Sequence, residues 1–482
     1  MKGGMASING LLFVLWVFVL LHSTAIEAHG EEKLVGCPQH PDKVIKLPGQ
    51  PSISPPICHF SGFITVNASH GRALFYWFFQ ALSNPTHKPL LLWLNGGPGC
   101  SSVGYGAAVE LGPFRVNNKG NGLDHNKYSW IQEANVLFLE SPIGVGFSYS
   151  NTSSDFINLD DKFVAKDAYS FLLKWMKRFP RYQGHDFFIS GESYAGHYVP
   201  QLADLIYDGN KNKRNHFINL KGFIVGNPET EDFYDSKGLV EYAWSHSVIS
   251  DQLYQQVNHA CNFKLSNWTR ECANAINLLF EQYKEIDIYN IYAPKCTLSR
   301  TSSLPTSSSS SRSSDDKVKL RRMRILGGYD PCYEVHTEAY FNRDDVQEAF
   351  HSKSPIRVHW QSCNHYSNSI FEAYNYVVLT VLPIYTKLIK AGLKIWVYSG
   401  DIDGRVPVIG TRYWLESMAL SLKTPWRTWY HNNQVGGRIV EFEGLTFVTV
   451  RGAGHLVPLN KPGEALALIH SFLSGNSLAT KP

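Results

Sequence analysis

The chain has 482 residues, and its 45 Lys and Arg against 41 Asp and Glu leave a formal charge of only +4, too even a balance for a dedicated nucleic-acid binder. With 44% hydrophobic residues, among them 12 Trp, 25 Tyr and 27 Phe, it can bury a large core, which excludes a mostly disordered chain. Length alone suggests about three domains, yet large α/β enzymes run as one core with insertions.

In chain order, Lys2 precedes an unbroken apolar run from Leu11 to Leu21, and small residues follow at Ser23, Thr24, Ala25 and Ala28. A membrane span needs roughly 20 apolar residues. The run therefore reads as a secretory signal, residues 1–28, cleaved between Ala25 and Ala28, and no later segment reads as a span. Phe60 to Val66 and Arg72 to Phe79 follow as an antiparallel meander. From Lys88 to Asn227, apolar runs ending in Gly-rich turns alternate with helical patterns. The expected strands are Pro89 to Leu94, Asn135 to Leu139, Phe187 to Ile189 and Leu220 to Val225, and the helices Asp161 to Arg178 and Tyr194 to Tyr207. The same alternation returns near the C-terminus, with strands Ile395 to Tyr398 and Phe447 to Val450 and helices Val408 to Leu420 and Gly463 to Leu473. Such alternation predicts an α/β protein with a mostly parallel central sheet and helices on both faces.

Between these halves, residues 228–354 are helical, polar and rich in cysteine, and read as an inserted cap. The core is then 42–227 and 355–475. Within the cap, Ser299 to Ser314 is mostly Ser and leads to a basic run ending at Arg324. So little apolar surface cannot offset the entropy of ordering, and 299–324 is expected to be an exposed linker open to proteolysis. The eight cysteines form no C-x-x-C pair and have no zinc-site spacing, so no metal is expected and an oxidising compartment explains them better. Asn67, Asn151 and Asn267 open N-glycosylation triplets, usable on the same secretory route.

The strongest local signal is Gly191-Glu192-Ser193-Tyr194-Ala195-Gly196 between an apolar strand and a helix. In that context G-x-S-x-G is a nucleophile elbow, which holds a serine on a strained turn. A serine hydroxyl needs a base, and the base an orienting carboxylate, in the chain order Ser, Asp, His for this fold. Asp403 and His455 each lie just past a strand end. Asp401 competes with Asp403, which is preferred because it lies in the turn beyond the strand, whereas Asp401 suits a cap. The oxyanion hole is expected from the Tyr194 and Gly97 N–H groups. Gly97 lies in a Gly-rich loop that lacks the Gly-Lys-Ser/Thr ending of a phosphate loop.

Four stretches together carry a resemblance: Asn95-Gly-Gly-Pro-Gly-Cys-Ser-Ser, Glu140-Ser-Pro-Ile-Gly-Val-Gly-Phe-Ser-Tyr, Gly191-Glu-Ser-Tyr-Ala-Gly-His-Tyr-Val-Pro and Gly452-Ala-Gly-His-Leu-Val-Pro. The chain resembles the serine carboxypeptidase family, in its plant serine carboxypeptidase-like branch, from about Asp42 to Gly475. The resemblance implies an α/β-hydrolase fold with a helical cap, removal of single residues from peptide C-termini, and Ser193, Asp403 and His455 as triad. It implies no cofactor. It also gives Asn95, Gly96 and Glu192 the substrate carboxylate: a protonated Glu192 can donate to it, whereas an ionised one would repel it, so acidic conditions should favour binding. Implied disulfides are Cys100 to Cys363, Cys261 to Cys272 and Cys296 to Cys332; Cys37 and Cys58 are left over, with mutual pairing one option.

Two positions depart from the family pattern. Val109 stands where many relatives carry the first of two Glu, which predicts one carboxyl neighbour fewer for Glu192, and Leu456 follows His455 where some carry Glu. The expected partners are peptides or proteins with a free C-terminus, and neither nucleic acid nor membrane. A homodimer, and extracellular or vacuolar delivery, are left open. Some plant relatives are acyltransferases on sugar esters and carry Asp at the position of Glu192, so Glu192 favours the peptidase; a catalytically inert glycoprotein is the remaining rival.

Overall fold

A computed structural model describes residues 37–212, 216–265, 268–298, 331–355, 359–364 and 370–482. The predicted signal 1–28, the Ser-rich linker 299–324 and Asn267 lie outside them. The chain divides into residues 1–41 and 42–482; the described part of the first, 37–41, contains no helix or strand.

The strands of the second unit are β1 (Lys43–Val44), β2 (His59–Asn67), β3 (Arg72–Phe79), β4 (Leu90–Leu94), β5 (Phe114–Val116), β6 (Leu123–His125) and β7 (Asn135–Leu139). After these come β8 (Phe187–Glu192), β9 (Leu220–Gly226), β10 (Lys394–Gly400), β11 (Leu422–His431), β12 (Gln434–Phe442) and β13 (Leu445–Val450). Among the described residues, all but β5 and β6 form one sheet in the order β1-β2-β3-β7-β4-β8-β9-β10-β13-β12-β11. The six strands from β7 to β13 in that order run parallel, and the two ends are antiparallel. This matches the expected mostly parallel sheet. Its centre is apolar because strands such as β4 and β7, buried at every position, are covered on both faces.

Alternation along β4 sorts side chains between two cores. Leu90, Leu92 and Leu94 join a cluster with Phe171, Trp175 and Val199 from helices Asp161–Arg178 and Ala195–Lys211. Leu91 and Trp93 join a second with Trp130, Leu468 and Phe472. Helix Asp161–Arg178 has the ends expected of it: the Asp160 side chain accepts the Phe163 N–H at 2.7 Å, and Lys177 and Arg178 occupy the last turn, favourable at the negative end of the helix dipole.

Residues 228–354, expected as one insertion, divide their packing. Helices Asp232–Ser245, Asp251–Ala260 and Arg270–Gln282 share a separate cluster built on Val240, Tyr242, Ile276 and Leu279. Tyr340, Phe341, Val346 and Phe350 instead enter the second sheet-face core. The β11–β12 hairpin has no counterpart among the strands expected from sequence. Its turn residues Asn432 and Asn433 both have positive φ, +46° and +61°, the backbone of a two-residue type I′ turn, which suits Asn.

The structure pairs Cys100 with Cys363, Cys261 with Cys272 and Cys296 with Cys332. Cys37 and Cys58 are also disulfide-bonded. Asn67 is half-buried at the end of β2 and Asn151 is exposed. Among the described residues no helix is long and apolar enough to cross a membrane.

Candidate active site

Ser193 sits between β8 and helix Ala195–Lys211 with φ +63°, a left-handed conformation that costs a non-glycine residue about 1–3 kcal/mol and needs support from its surroundings. The support is visible. The Ser193 N–H donates to Gly226 O at 3.0 Å, and its carbonyl accepts the Gly196 and Glu229 N–H groups at 2.8 and 3.0 Å. Both motif glycines are required by space: a Cβ on Gly191 would lie 2.5 Å from Leu94 O, and one on Gly196 2.1 Å from Glu229 O.

The turns after β10 and β13 bring Asp403 to His455. His455 Nδ1 lies 2.7 Å from Asp403 Oδ2, and because a carboxylate only accepts, Nδ1 carries the hydrogen of this bond. Asp403, with no exposed surface, also accepts Asn227 Nδ2 at 2.8 Å and the Arg405 N–H at 2.7 Å. Asp401 turns elsewhere and accepts the Gly452 N–H at 2.6 Å. His455 is also held by Tyr289: its backbone N–H donates to Tyr289 O at 2.7 Å, and the two ring centroids are 5.1 Å apart.

Ser193 and His455 line a cavity of about 280 Å³, together with Asn95, Gly96, Gly97 and Glu192. Among the described residues, neither the Gly97 nor the Tyr194 N–H donates to a backbone carbonyl. Gly96 packs so tightly on the elbow that a Cβ there would stand 2.4 Å from Tyr194 N.

Asn95 is fixed by its neighbours. Trp93 Nε1 and the Gly106 N–H both donate to Oδ1, at 2.6 and 3.1 Å, so Nδ2 is the edge that faces the carboxyls. It donates to Glu192 Oε1 at 2.9 Å and to Glu110 Oε1 at 3.1 Å. Both glutamates are buried. Burial, then the neighbouring Glu110, pushes the Glu192 carboxyl well above the usual range, and burial raises Glu110 to about 7. Two carboxyls sharing a dry site cannot both ionise cheaply. Val109 is buried, and Glu110 next to it supplies a carboxyl neighbour for Glu192 through the shared Asn95 amide.

Some contributors escaped the sequence reading. Glu110 is marked in the sequence only by its place in a Gly-rich segment eight residues beyond Ser102. Asn227, in the Gly-Asn-Pro at the end of β9, showed a strand-end turn but not its partner. Tyr289 and Arg405 also line the cavity, and Arg405 pairs with Glu229 at 2.9 Å; nothing local in the sequence marks them.

The sequence profile of the serine carboxypeptidase family matches residues 48–475. The chain belongs to the serine carboxypeptidase family. It is 59% identical over 447 residues to Serine carboxypeptidase-like 26 of Oryza sativa subsp. japonica, with 92% of each chain covered. It is 60% identical over 449 residues to Serine carboxypeptidase-like 33 of Arabidopsis thaliana, covering 92% of this chain and 93% of the relative. Among solved structures, Kex1(delta)p, a prohormone-processing carboxypeptidase from Saccharomyces cerevisiae, superposes with a TM-score of 0.73 at 24% identity, over 90% of this chain and 95% of that one. At that identity the likeness shows the fold, the α/β-hydrolase fold expected of a serine carboxypeptidase.

Proposed function

We propose that this serine carboxypeptidase releases C-terminal residues from peptides through an acyl-enzyme on Ser193, with an acidic pH preference. Ser193 Oγ attacks the scissile carbonyl while His455 Nε2 takes its proton, and Asp403 keeps the imidazole in the required tautomer and stabilises its charged form. The Gly97 and Tyr194 N–H groups receive the oxyanion. The His455 proton then passes to the leaving amine, and water repeats the sequence in reverse to free the enzyme. Asn95, Gly96 and the neutral Glu192 hold the substrate carboxylate.

One observation carries this reading: the cavity that contains Ser193 and His455 also contains a carboxyl, Glu192, driven toward its neutral form beside the Asn95 amide. A neutral carboxyl donates a hydrogen bond to an anionic chain end without repelling it. Cysteine pairing and the plant relatives are consistent with a protein of the secretory pathway; extracellular or vacuolar delivery fits this reading. The test is a fluorophosphonate label followed by two substrate sets. Labelling that Ser193→Ala abolishes, with hydrolysis of free-acid peptides at acidic pH, supports the proposal. Labelling with acyl transfer from sugar esters and no peptide hydrolysis replaces it with the acyltransferase, and no labelling replaces it with an inert glycoprotein.

A further inference from the structure

Behind the elbow, the Tyr194 side chain is held by contacts that the roles above do not use. Its hydroxyl donates to Asp161 Oδ1 at 2.9 Å. Asp161, fully buried in the first turn of helix Asp161–Arg178, also accepts the Tyr374 hydroxyl on that oxygen at 3.2 Å and the Val378 N–H on the other at 3.3 Å. The Tyr194 ring stacks on His197 with centroids 4.9 Å apart and meets Tyr198 edge-on at 5.2 Å. Local capping does not brace this turn, since helix Ala195–Lys211 starts without a side-chain hydrogen bond at its N-cap, Tyr194 itself. The residue before it is in a strained conformation, and Gly96 leaves no slack on the other side.

We propose that Asp161 is a positioning residue for the reaction: by fixing the Tyr194 hydroxyl it fixes the orientation of the Tyr194 peptide, and so the aim of its N–H at the oxyanion. The inference rests on the reading of Ser193 as nucleophile and of Tyr194 as oxyanion donor. Loss of a whole oxyanion donor costs about 10²–10³-fold in kcat, and a small displacement of reacting groups costs a part of that. Removing the anchor while keeping the donor should therefore slow the reaction roughly tenfold.

The readout is the second-order rate of fluorophosphonate labelling, in which the Ser193 Oγ–P bond forms, fluoride leaves and the proton passes to His455. Melting temperature is measured in parallel. Tyr194→Phe keeps the ring and removes the anchor; labelling should slow about tenfold, and for a free-acid peptide kcat should fall by the same factor with KM unchanged. Asp161→Ala should slow labelling similarly, and the double variant should be no slower than either single one. Tyr374→Phe removes the other hydroxyl from the same carboxylate and should lower the melting temperature while labelling stays at the wild-type rate. A wild-type rate in Tyr194→Phe, a multiplied loss in the double variant, or equal slowing in Tyr374→Phe overturns the role of Asp161. Ser193→Ala separates the two levels: if it still takes the label, the nucleophile reading fails, whatever Asp161 does.

Discussion

Asp401 and Asp403 stand two residues apart in the turn after β10 and serve different partners. Asp403 Oδ2 meets His455 Nδ1 at 2.7 Å, while Asp401 Oδ1 accepts the Gly452 N–H at 2.6 Å and ties the turns after β10 and β13 together. In the proposed mechanism only Asp403 selects the imidazole tautomer. Asp403→Asn should lower kcat by about 10³–10⁴-fold with little change in KM, whereas Asp401→Asn should cost less than about tenfold in kcat and show mainly as a lower melting temperature. Steady-state kinetics of the two variants checks this, and a larger kcat loss in Asp401→Asn would reassign the acid.

The carboxyl pair predicts a pH dependence with a definite sign. Glu110 is raised to about 7 and Glu192 well above its usual range, chiefly by burial, so both are neutral in acid. As pH rises through about 7 and beyond, negative charge appears beside the bound chain end, and KM for a free-acid peptide should rise. A C-terminally amidated peptide should lack that rise, and Glu192→Gln, neutral at every pH, should make it shallower for the acid, leaving only the part that comes from Glu110. Michaelis constants for both peptides across pH, in wild type and Glu192→Gln, decide the matter; four identical profiles would sink the role of Glu192.

Glu140 offers a test of stability rather than activity. Ser101 Oγ, Trp360 Nε1 and the Phe147 N–H all donate to it, at 2.5, 3.2 and 2.6 Å, yet burial still raises it from 4.5 to about 7. Its folded pKa lies above the unfolded value, so the stability it contributes is full below about 4.5 and is lost as pH rises through about 7. Glu140→Gln leaves one donor poorly served and should cost about 1–3 kcal/mol in acid. That deficit should narrow as pH rises from 5 to 8, because only the wild type must ionise a buried group. Melting curves of both proteins across this range check it, and a constant gap would refute the buried-titration account.

The disulfides change what a cut in the linker can show. Cys296–Cys332 and Cys100–Cys363 both join residues on opposite sides of 299–324. After cleavage between Ser299 and Arg324 activity should persist, and the fragments should separate only on reduction. They should stay joined without reductant even in a Cys296→Ser/Cys332→Ser variant, because Cys100–Cys363 still links them. Non-reducing electrophoresis of the cut variant is the measurement, and separation there would mean that the Cys100 bridge is absent.

The extent of helix Asp161–Arg178, the run of buried strands, the elbow at Ser193 and the strand-end turns holding Asp403 and His455 were all legible in the amino-acid sequence. They are written in short-range signals: an N-cap, a 3.6-residue apolar period, continuous apolar runs and glycines at turns. The β11–β12 hairpin was less legible, because its signal is an Asn-Asn turn without the usual Gly and the pairing of its strands is bulged, which breaks the two-residue alternation. Tertiary structure alone decided which aspartate meets His455, that Asn227 braces Asp403 across 176 residues of chain, that Glu110 rather than position 109 faces the Asn95 amide, and that Asp161 anchors Tyr194. Those contacts join side chains from elements made neighbours only by the order of strands in the sheet. Their hydrogen-bond geometry and desolvation depend on packing, which no local period encodes.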